Sequence, residues 1–126
     1  MATTEDPRRT LGRAGEQYAL DHLARRGFDV VARNFRTRHG EIDLIVCDGQ
    51  ALVFVEVKAR RASARAGTPL DALSPAKQAQ VRRMARAWLA ETPDRPRVAE
   101  LRFDAVGVTV DGAGRLLALD HLEGCF

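Results

Sequence analysis

The sequence contains little of what marks secreted or membrane proteins. It has only two cysteines, Cys47 and Cys125, which lie far apart and form no CxxC pair. We therefore expect reduced thiols and a cytoplasmic protein. No apolar run approaches the roughly 20 residues of a membrane span, and residues 1–9 have no hydrophobic stretch after their basic pair. We therefore expect the sequence to contain no membrane-spanning segment and no secretory signal.

The motifs of several common enzyme classes are also missing. The sequence has no GxGxxG, GxxxxGK(S/T) or HExxH motif, and no set of cysteines and histidines spaced as zinc ligands. Nothing therefore supports dinucleotide-binding, P-loop or zinc-peptidase chemistry. Ser63 and Ser74 have no recognisable base nearby, so serine-nucleophile chemistry has no support either.

Lysine is scarce, with Lys58 and Lys77 as its two positions among 20 basic residues, and the net charge is a modest +3. A guanidinium does not replace a compact ammonium at every site, so both lysines are candidate functional residues. The arginines cluster at 33–38, 60–65 and 82–86. These clusters are either solvated surface or an electrostatic footprint for phosphates. On the second interpretation the nucleic-acid contacts are Arg36, Arg38, Arg60, Arg61, Lys77, Arg82 and Arg86.

Apolar periodicity and turn residues divide the chain into two helices and five strands. We expect residues 1–9 to be flexible and residues 10–126 to form one domain. The first helix is predicted over 10–26 with Thr10 as N-cap, and a second helix starts at Ser74-Pro75. The predicted strands are 28–36, two runs within 40–58, 97–110 and 115–119, with a loop over 60–73. The order αβββαββ predicts an α/β fold with one mixed central sheet flanked by helices.

The segment from Gly40 to Lys58 carries the most informative pattern. Two apolar, β-branched runs flank Asp48-Gly49, which is a strong hairpin signal. Charges occur where such strands should be buried. They are Glu41, Asp43, Glu56 and Lys58. Because side chains alternate between the two faces of a strand, the carboxylates and the lysine fall on one face.

The length of the hairpin turn leaves two registers open. A two-residue loop at Asp48-Gly49 pairs Cys47 with Gln50 and sets Asp43 diagonal to Glu56, whereas a four-residue loop sets Asp43 directly opposite Glu56. In both registers the Cβ atoms of the two carboxylates are about 4.5 to 8 Å apart. Like charges this close repel, and a cation between them would remove that cost. The other face is wholly apolar and consists of Ile42, Leu44, Val46, Val53, Val55 and Val57.

Three further charged residues fall at inward-facing positions. Glu16 shares a helix face with Leu20, and it is either paired with an arginine or a site ligand. Lys77 falls on the apolar stripe of the second helix. Asp104 lies between two apolar residues, so it either points into the site or forms an ion pair with Arg102 or another arginine.

Carboxylates at this spacing, followed by a lysine two residues on, suit metal-assisted hydrolysis of phosphodiester bonds. Asp43 and Glu56 would bind Mg²⁺ or Mn²⁺ through hard oxygen ligands. The metal would polarise the phosphoryl oxygen and lower the pKa of bound water. Lys58 would position that water or neutralise charge in the transition state. Glu16 could complete the metal shell from the first helix, and Glu41 is a weaker candidate.

These residues resemble the motif of the PD-(D/E)xK, restriction-endonuclease-like superfamily. More closely, the chain resembles the YraN-like family of small bacterial proteins, itself similar to archaeal Holliday junction resolvases. The resemblance implies an αβββαβ core and assigns Asp43, Glu56 and Lys58 to the nuclease motif, with Glu16 as the helix carboxylate. Ile42 stands where the motif name has proline, which is not a ligand. The matching stretches are Gly12–Ala19 (GRAGEQYA), Arg33–Arg36 (RNFR), Gly40–Ile45 (GEIDLI), Phe54–Arg60 (FVEVKAR), Lys77 and Arg102–Asp104 (RFD).

The sequence thus predicts a Mg²⁺-dependent, nuclease-like protein acting on DNA, with branched or damaged DNA as candidate substrates. One rival is a nucleic-acid-binding or structural protein that retains an inactive nuclease site. Another is a protein-interaction module, which would need no aligned Asp, Glu and Lys. The small size favours a homodimer or a partner, since one such domain has little surface with which to grip a duplex.

Overall fold

The computed structural model describes residues 6–63, 70 and 73–126. Across these residues the elements are α1 Pro7–Arg25, β1 Asp29–Thr37, β2 Gly40–Cys47, β3 Ala51–Arg61, α2 Pro75–Glu91, β4 Glu100–Val110 and β5 Leu116–Leu122. This order confirms the predicted αβββαββ arrangement. Among the described residues no helix is long and apolar enough to cross a membrane. Cys47 and Cys125 are both free.

The five strands form one sheet in the order β1-β2-β3-β4-β5. β3 and β4 are parallel and pair over their whole length, from Ala51 opposite Glu100 to Arg61 opposite Val110. The other neighbouring pairs are antiparallel. A parallel pair needs a crossover connection, and α2 lies in the segment that joins these two strands. The mixed sheet with its two helices confirms the predicted α/β fold class.

One helix packs on each face of the sheet, because alternate residues of the strands point to opposite sides. The buried cluster beneath α1 contains Ala19, Leu23, Phe28, Leu44, Val46, Ala51, Val53, Val55, Val106, Val108 and Val110. The cluster beneath α2 contains Ile42, Ile45, Leu52, Phe54, Val81, Met84, Ala85 and Trp88. Burying each large apolar side chain contributes roughly 1.5–3 kcal/mol. The two clusters therefore hold the central strands firmly between the helices.

α1 lies especially close to the sheet at Gly15. An added Cβ at this position would lie 2.5 Å from the Cβ of Ala59 on β3, a separation that real Cβ atoms essentially never show. Only glycine permits this approach of the helix to the strand. The close contact fixes the first half of α1, which carries Glu16, against the strand that carries Glu56.

α1 begins three residues earlier than predicted. Asp6, rather than Thr10, is the N-cap, since its Oδ1 accepts a hydrogen bond from the Arg8 N–H at 2.9 Å. Pro7 follows as the first helical residue, where its fixed φ suits the helix and its missing N–H costs nothing. Residues 7–9, which we expected to belong to a flexible segment, are therefore helical, and residues 1–5 lie outside the described part of the chain.

Three strand ends also differ from the prediction. β3 continues through Arg60 and Arg61, which we had placed in a loop, because its parallel pairing with β4 extends that far. β4 starts at Glu100 rather than at 97, and β5 extends to Leu122 because it pairs with β4 up to Leu122 opposite Ala105. Most of the predicted 60–73 loop, residues 64–69 and 71–72, lies outside the described residues.

The hairpin between β2 and β3 has the longer of the two expected loops. Cys47 pairs with Leu52, so the loop has four residues, and the two-residue alternative that paired Cys47 with Gln50 is wrong. The Asp48 side chain stabilises this loop by accepting hydrogen bonds from the N–H groups of Gln50 and Ala51 at 3.0 and 2.9 Å. Asx turns of this kind are a common use of aspartate at chain reversals.

Ile42 lies on a different side from the one predicted. Leu44 and Val46 share a cluster with Val53 and Val55 as predicted, and this cluster lies beneath α1. Ile42 instead belongs to the cluster beneath α2, together with its β1 partner Phe35. The regular alternation of β1 is interrupted at Asn34, which has a left-handed φ of 51°. Such a backbone angle departs from the pleated geometry on which face assignments depend.

Asp104 is fully buried, and the ion pair considered for it is present. Its carboxylate accepts hydrogen bonds from Arg102 at 2.8 and 3.0 Å, and from the Gly124 N–H at 2.9 Å. The His121 Nε2 lies 2.8 Å from its other oxygen. Burial alone would raise the pKa of Asp104, but the hydrogen bonds from His121, Arg102 and Gly124 outweigh it and hold the pKa below its usual value. Asp104 is thus a structural anion.

Polar contacts also join α1 to the β5 end of the sheet. The Tyr18 hydroxyl donates to the Gly114 carbonyl at 2.9 Å. The His22 Nε2 lies 3.0 Å from the His121 Nδ1, and Arg26 forms an ion pair with Glu123 at 2.8 Å. We call these three contacts the α1–β5 clasp. They tie the first helix and its C-cap Arg26 to the last strand and to Gly114 and Glu123 on either side of it. That strand pairs with β4 alone in the sheet.

Candidate active site

The sheet divides at one end between β2 and β3. The ladder between these strands stops at Leu44 opposite Val55. Beyond that point β2 continues to pair with β1, and β3 continues to pair with β4. Where the ladder ends, the Asp43 side chain connects the two strands instead, since its Oδ2 accepts a hydrogen bond from the Val57 N–H at 2.8 Å. A cleft opens at this division.

The cleft has a volume of about 330 Å³ and brings the predicted site residues together. Asp43 enters from β2, and Glu56 and Lys58 enter from β3, two residues apart and therefore on one face. Both carboxylates are largely buried, whereas Lys58 is exposed. The complete lining consists of Glu41, Asp43, Glu56, Val57, Lys58, Leu70, Leu73 and Lys77.

Lys77 supplies the second ammonium of the cleft. Its Nζ lies 3.4 Å from the Glu56 Oε1. The residue stands in the first turn of α2, where Ser74 is the predicted N-cap and accepts a hydrogen bond from the Lys77 N–H at 3.1 Å. The sequence identified Lys77 as inward-facing, but not as the partner of Glu56. The signal was its place on the apolar stripe, four residues before Val81.

The two carboxylates are costly to ionise where they lie. Burial raises the pKa of Asp43 to about 6, and the charges of Glu41 and Glu16 add to this, against the opposing Val57 hydrogen bond and Lys77 charge. Burial and then the charge of Asp43 raise the pKa of Glu56 to about 7, against the opposing charge and hydrogen bond of Lys77. One lysine does not compensate both groups. The expected repulsion between the strands is therefore present in the fold.

The donor atoms of the cleft fit a hard divalent cation. The Glu56 Oε2 is buried and has no hydrogen-bond partner among the described residues. Asp43 and Glu56 together offer oxygen ligands of the kind that Mg²⁺ and Mn²⁺ prefer. No group of three or more His, Cys, Asp or Glu side chains in the described ranges could hold a metal ion. Two carboxylates are nevertheless enough for Mg²⁺, which commonly completes its shell with water and substrate phosphate.

Glu16 lines a neighbouring cleft rather than the one that holds Asp43 and Glu56. This second cleft, of about 670 Å³, lies between α1 and β1. The Glu16 Oε1 is buried there without a hydrogen-bond partner among the described residues. The charge of Glu16 nevertheless contributes to the raised pKa of Asp43. A role for Glu16 as a metal ligand stays a prediction. The other residues of the second cleft are Arg9, Gly12, Arg13, Gln17, Arg33, Asn34 and Arg36.

The predicted nucleic-acid contacts are spread over several surfaces. Arg36 forms an ion pair with Glu41 at 2.9 Å and lines the second cleft. Arg38 lies on the adjoining turn, where its Nε is 3.3 Å from a ring nitrogen of His39. Arg60 and Arg61 follow Lys58 on β3, and the Arg60 Nε is buried without a described partner.

Arg82 and Arg86 lie apart from the carboxylate cleft. They line an apolar pocket between α2 and β4 instead of the Lys58 end of β3. Arg9 and Arg13 were not predicted from the sequence as site residues, but they lie on α1 and line the same cleft as Glu16. Their helical spacing of four residues was the available signal.

The protein is a small α/β protein with a five-stranded mixed sheet between two helices. Buried acidic side chains line the cleft at which the sheet divides. Residues 15–108 match the family described as uncharacterised protein family UPF0102. The chain belongs to this family.

Relatives match over nearly the whole chain. It is similar to the UPF0102 protein of Chlorobium chlorochromatii, with 48% identity over 120 residues that cover 92% of this chain and 90% of that protein. It is also similar to the UPF0102 protein of Mycolicibacterium vanbaalenii, with 41% identity over 122 residues that cover 97% and 98%. For the UPF0102 protein of Nocardia farcinica the identity is 43% over 119 residues, covering 94% and 91%.

Proposed function

We propose that this protein is a Mg²⁺- or Mn²⁺-dependent nuclease of the restriction-endonuclease-like superfamily. Its substrate would be the phosphodiester bonds of DNA, with branched or damaged DNA as candidates. The observation that carries the proposal is the pair of buried, electrostatically strained carboxylates, Asp43 and Glu56, in one cleft with Lys58 and Lys77. Strongly perturbed pKa values in a cleft are a general mark of functional sites.

Each residue of the cleft has a proposed role. Asp43 and Glu56 would hold the metal ion, and the Val57 N–H keeps the Asp43 carboxylate oriented by its hydrogen bond of 2.8 Å. A bound divalent ion supplies charge neutralisation at a phosphoryl oxygen and a water of lowered pKa. Lys58 presents its ammonium to the open side of the cleft, where it would stabilise charge on the phosphate or orient a water. Lys77 would stay close to Glu56.

The cellular setting is part of the same proposal. We infer a cytoplasmic protein, since both cysteines are free thiols. We also infer a homodimer, because one such small domain offers little surface with which to grip a duplex. The exposed Leu116, Leu117 and Leu122 of the edge strand β5 support a second copy at that edge. Light scattering of the purified chain measures the oligomeric state, and a strictly monomeric mass would contradict this inference.

A binding protein with an inactive nuclease site is the second candidate. The Lys77 Nζ lies 3.4 Å from the Glu56 Oε1, so a cation already neutralises part of the charge that would attract a metal. On this alternative Lys77 permanently replaces the metal ion, and the cleft contributes only to folding and to phosphate binding.

A cleavage panel distinguishes the two candidates. The purified protein is incubated with Mg²⁺ or Mn²⁺ and single-stranded, duplex, flap and four-way-junction DNA, and RNA. The nuclease proposal expects cutting of at least one DNA form. Glu56→Gln is purified in parallel, and because it keeps the side-chain shape, any activity that survives in it belongs to a contaminant. Binding without cleavage under both metals would favour the second candidate.

A further inference from the structure

The second cleft, between α1 and β1, has a volume of about 670 Å³, against about 330 Å³ for the carboxylate cleft. Four arginines line it, two from the helix and two from the strand, and all four are exposed. They are Arg9, Arg13, Arg33 and Arg36. A cleft lined by charges of one sign concentrates the electric field and attracts ions of the opposite sign. The roles proposed above use none of these side chains.

One face of α1 forms the helical wall of the cleft. Arg9, Arg13 and Glu16 are spaced by four and three residues, so their side chains share that face. Gly12 lies on it too, and an added Cβ there would meet nothing within 4 Å, which leaves the wall open between the arginines. Glu16 lies deeper than the arginines, since its Oε1 is buried. The cleft is therefore basic at its mouth and acidic at its base.

An irregularity in β1 brings both strand arginines to the cleft. Arg33 and Arg36 are three residues apart, and in a regular strand they would point to opposite faces. Asn34 between them has a left-handed φ of 51°, which breaks the alternation. Such a backbone angle at a residue other than glycine costs free energy, and these angles are concentrated at functional sites. Its effect here is that two guanidinium groups line one concave surface.

Three observations join this cleft to the carboxylate cleft. Asn34 is level with Asp43 on the neighbouring strand, because the residues on either side of both are paired. Arg36 forms an ion pair with Glu41 at 2.9 Å, and Glu41 lines the carboxylate cleft. The charge of Glu16 also contributes to the raised pKa of Asp43. A nucleic-acid strand with one phosphate at Asp43 would therefore bring its neighbouring phosphates to the arginines.

The fold does not neutralise the charges of Arg9 and Arg33. Neither guanidinium forms an ion pair or a hydrogen bond with a described residue. Charged side chains on an edge strand can simply prevent pairing with another chain, and this would account for Arg33 and Arg36. It does not account for Arg9 and Arg13, which stand on the helix across the cleft. A concave arrangement of cations on two elements is what an extended anion requires.

We propose that the second cleft is the track for the sugar-phosphate backbone of the nucleic-acid substrate on one side of the scissile bond, with its four arginines on the phosphates. This inference rests on the proposed nuclease function and names the surface that holds the strand while Asp43 and Glu56 act. Guanidinium groups match phosphate oxygens through pairs of parallel hydrogen bonds. Because every nucleotide carries the same phosphate, these contacts position a strand without reading its sequence.

The shape of the cleft favours an extended strand over a single phosphate ion. Arg9 and Arg13 are about 6 Å apart along the helix axis. Arg33 and Arg36 are about 10 Å apart along the strand. The charge of Glu16 would repel an anion from the base of the cleft and keep it at the level of the exposed guanidinium groups. A backbone with a charge at every nucleotide satisfies cations that are spread in this way.

The salt dependence of binding tests the track. Affinities of the full chain for single-stranded and duplex oligonucleotides are measured by fluorescence anisotropy at several salt concentrations, with a chelator so that no cleavage occurs. The slope of log affinity against log salt concentration counts phosphate contacts, at about 0.7 each for a single strand and about 0.9 each for a duplex. Arg9→Gln and Arg33→Gln should each reduce this slope by one contact, and the double variant should reduce it by two.

Arg25→Gln is the matched control. Arg25 is also exposed on α1 without an ion pair to a described residue, but it lies about 160° around the helix from Arg9. Its variant loses the same charge and should keep the wild-type slope. Arg9→Lys and Arg33→Lys retain the charge and should keep the slope as well, since counterion release depends on charge. Thermal melts of each variant confirm that it is folded.

The outcomes separate this inference from the proposed function. Equal slopes for wild type, Arg9→Gln and Arg33→Gln would overturn the track and leave the arginines as protection of an edge strand. A reduction in Arg25→Gln as large as that in Arg9→Gln would overturn it as well, as would a reduced slope in the lysine variants. Cleavage by wild type in any of these cases would leave the nuclease proposal standing. Failure to bind or cut any nucleic acid, with or without metal, would remove both proposals together.

Discussion

Replacement of Asp43 by asparagine should stabilise the metal-free protein at neutral and alkaline pH. The carboxylate is 8% exposed and faces Glu56 across the divided sheet. Burial and neighbouring acidic charges raise its pKa from 3.8 to about 6. Asparagine is nearly isosteric with the protonated acid, and its carbonyl oxygen can still accept the Val57 N–H. The change therefore removes the charge with little disturbance of the contacts.

The sign of the effect follows from proton linkage. An acid whose pKa is higher in the folded state keeps its proton longer when folded. Its contribution to stability is fully present below pH 3.8 and is lost as the pH rises through about 6. For Glu56 the corresponding loss extends from 4.5 to about 7. The wild-type protein should therefore lose stability between about pH 4 and pH 7, and Asp43→Asn should lose much less.

The magnitude can be worked from the shift of Asp43. About two pKa units correspond to roughly 3 kcal/mol, and relief of the charge on Glu56 adds to this. For a chain of this length 1 kcal/mol moves the melting temperature by about 4 °C. At pH 8 without metal, Asp43→Asn should thus melt roughly 10 °C above wild type, while near pH 4 the two should melt within a few degrees.

Thermal melts in a chelating buffer across pH 4 to 8 provide the measurement. Asp120→Asn is the matched control, because it removes the same charge from an exposed position on β5. Parallel pH profiles for Asp43→Asn and wild type would refute the reasoning, since they would mean that Asp43 does not carry a strained charge.

The same proteins test the metal ligand. At pH 8, Mn²⁺ or Mg²⁺ at 100 times its dissociation constant should stabilise wild type by about 2.7 kcal/mol. Asp43→Asn should gain far less. Equal metal-induced shifts in the two proteins would exclude Asp43 as a ligand, even if the pH profiles differ as expected.

Three further predictions address other parts of the molecule. In the cleavage assay, Lys58→Arg should lose nearly as much activity as Lys58→Met, because a guanidinium is bulkier and holds its protons; full activity of Lys58→Arg would remove this residue from the site. Charge reversal at Arg82 and Arg86 together should reduce the slope of log affinity for DNA against log salt concentration by about 0.9 per lost duplex phosphate contact. Fluorescence anisotropy at several salt concentrations measures this slope, and an unchanged slope would mean that the two arginines make no such contact. Gly15→Ala should lower the melting temperature although alanine favours helices, because the added methyl would lie 2.5 Å from the Cβ of Ala59 on β3. Gly12→Ala is the control and should raise the melting temperature, since an added Cβ there has nothing within 4 Å. A stabilised Gly15→Ala would contradict the close approach of α1 to the sheet.

Local patterns were sufficient to predict much of this fold and its site. The start of α2 at Ser74-Pro75 is correct because capping depends on adjacent residues. Asp43, Glu56 and Lys58 share a cleft because alternation along a strand is short-ranged. The start of α1 was wrong although Asp6 gave a cap signal of the same kind, since Thr10 also satisfies the cap preference.

Features that depend on distant residues could not be predicted. Both hairpin registers satisfied the local pattern. In the structure Ala51 also pairs with Glu100 on β4, and the sequence of the hairpin carries no information about that distant strand. The contact of Lys77 with Glu56 requires the tertiary position of α2, which periodicity does not define. The same limitation applies to the division of the sheet after Leu44.

The α1–β5 clasp has a consequence for biosynthesis. A ribosome releases α1 first and β5 last, so Tyr18, His22 and Arg26 emerge long before their partners. Contacts between such distant parts of a chain form late and slow the folding of a domain. The clasp can therefore close only after β5 has emerged, and its three contacts should be among the last to form.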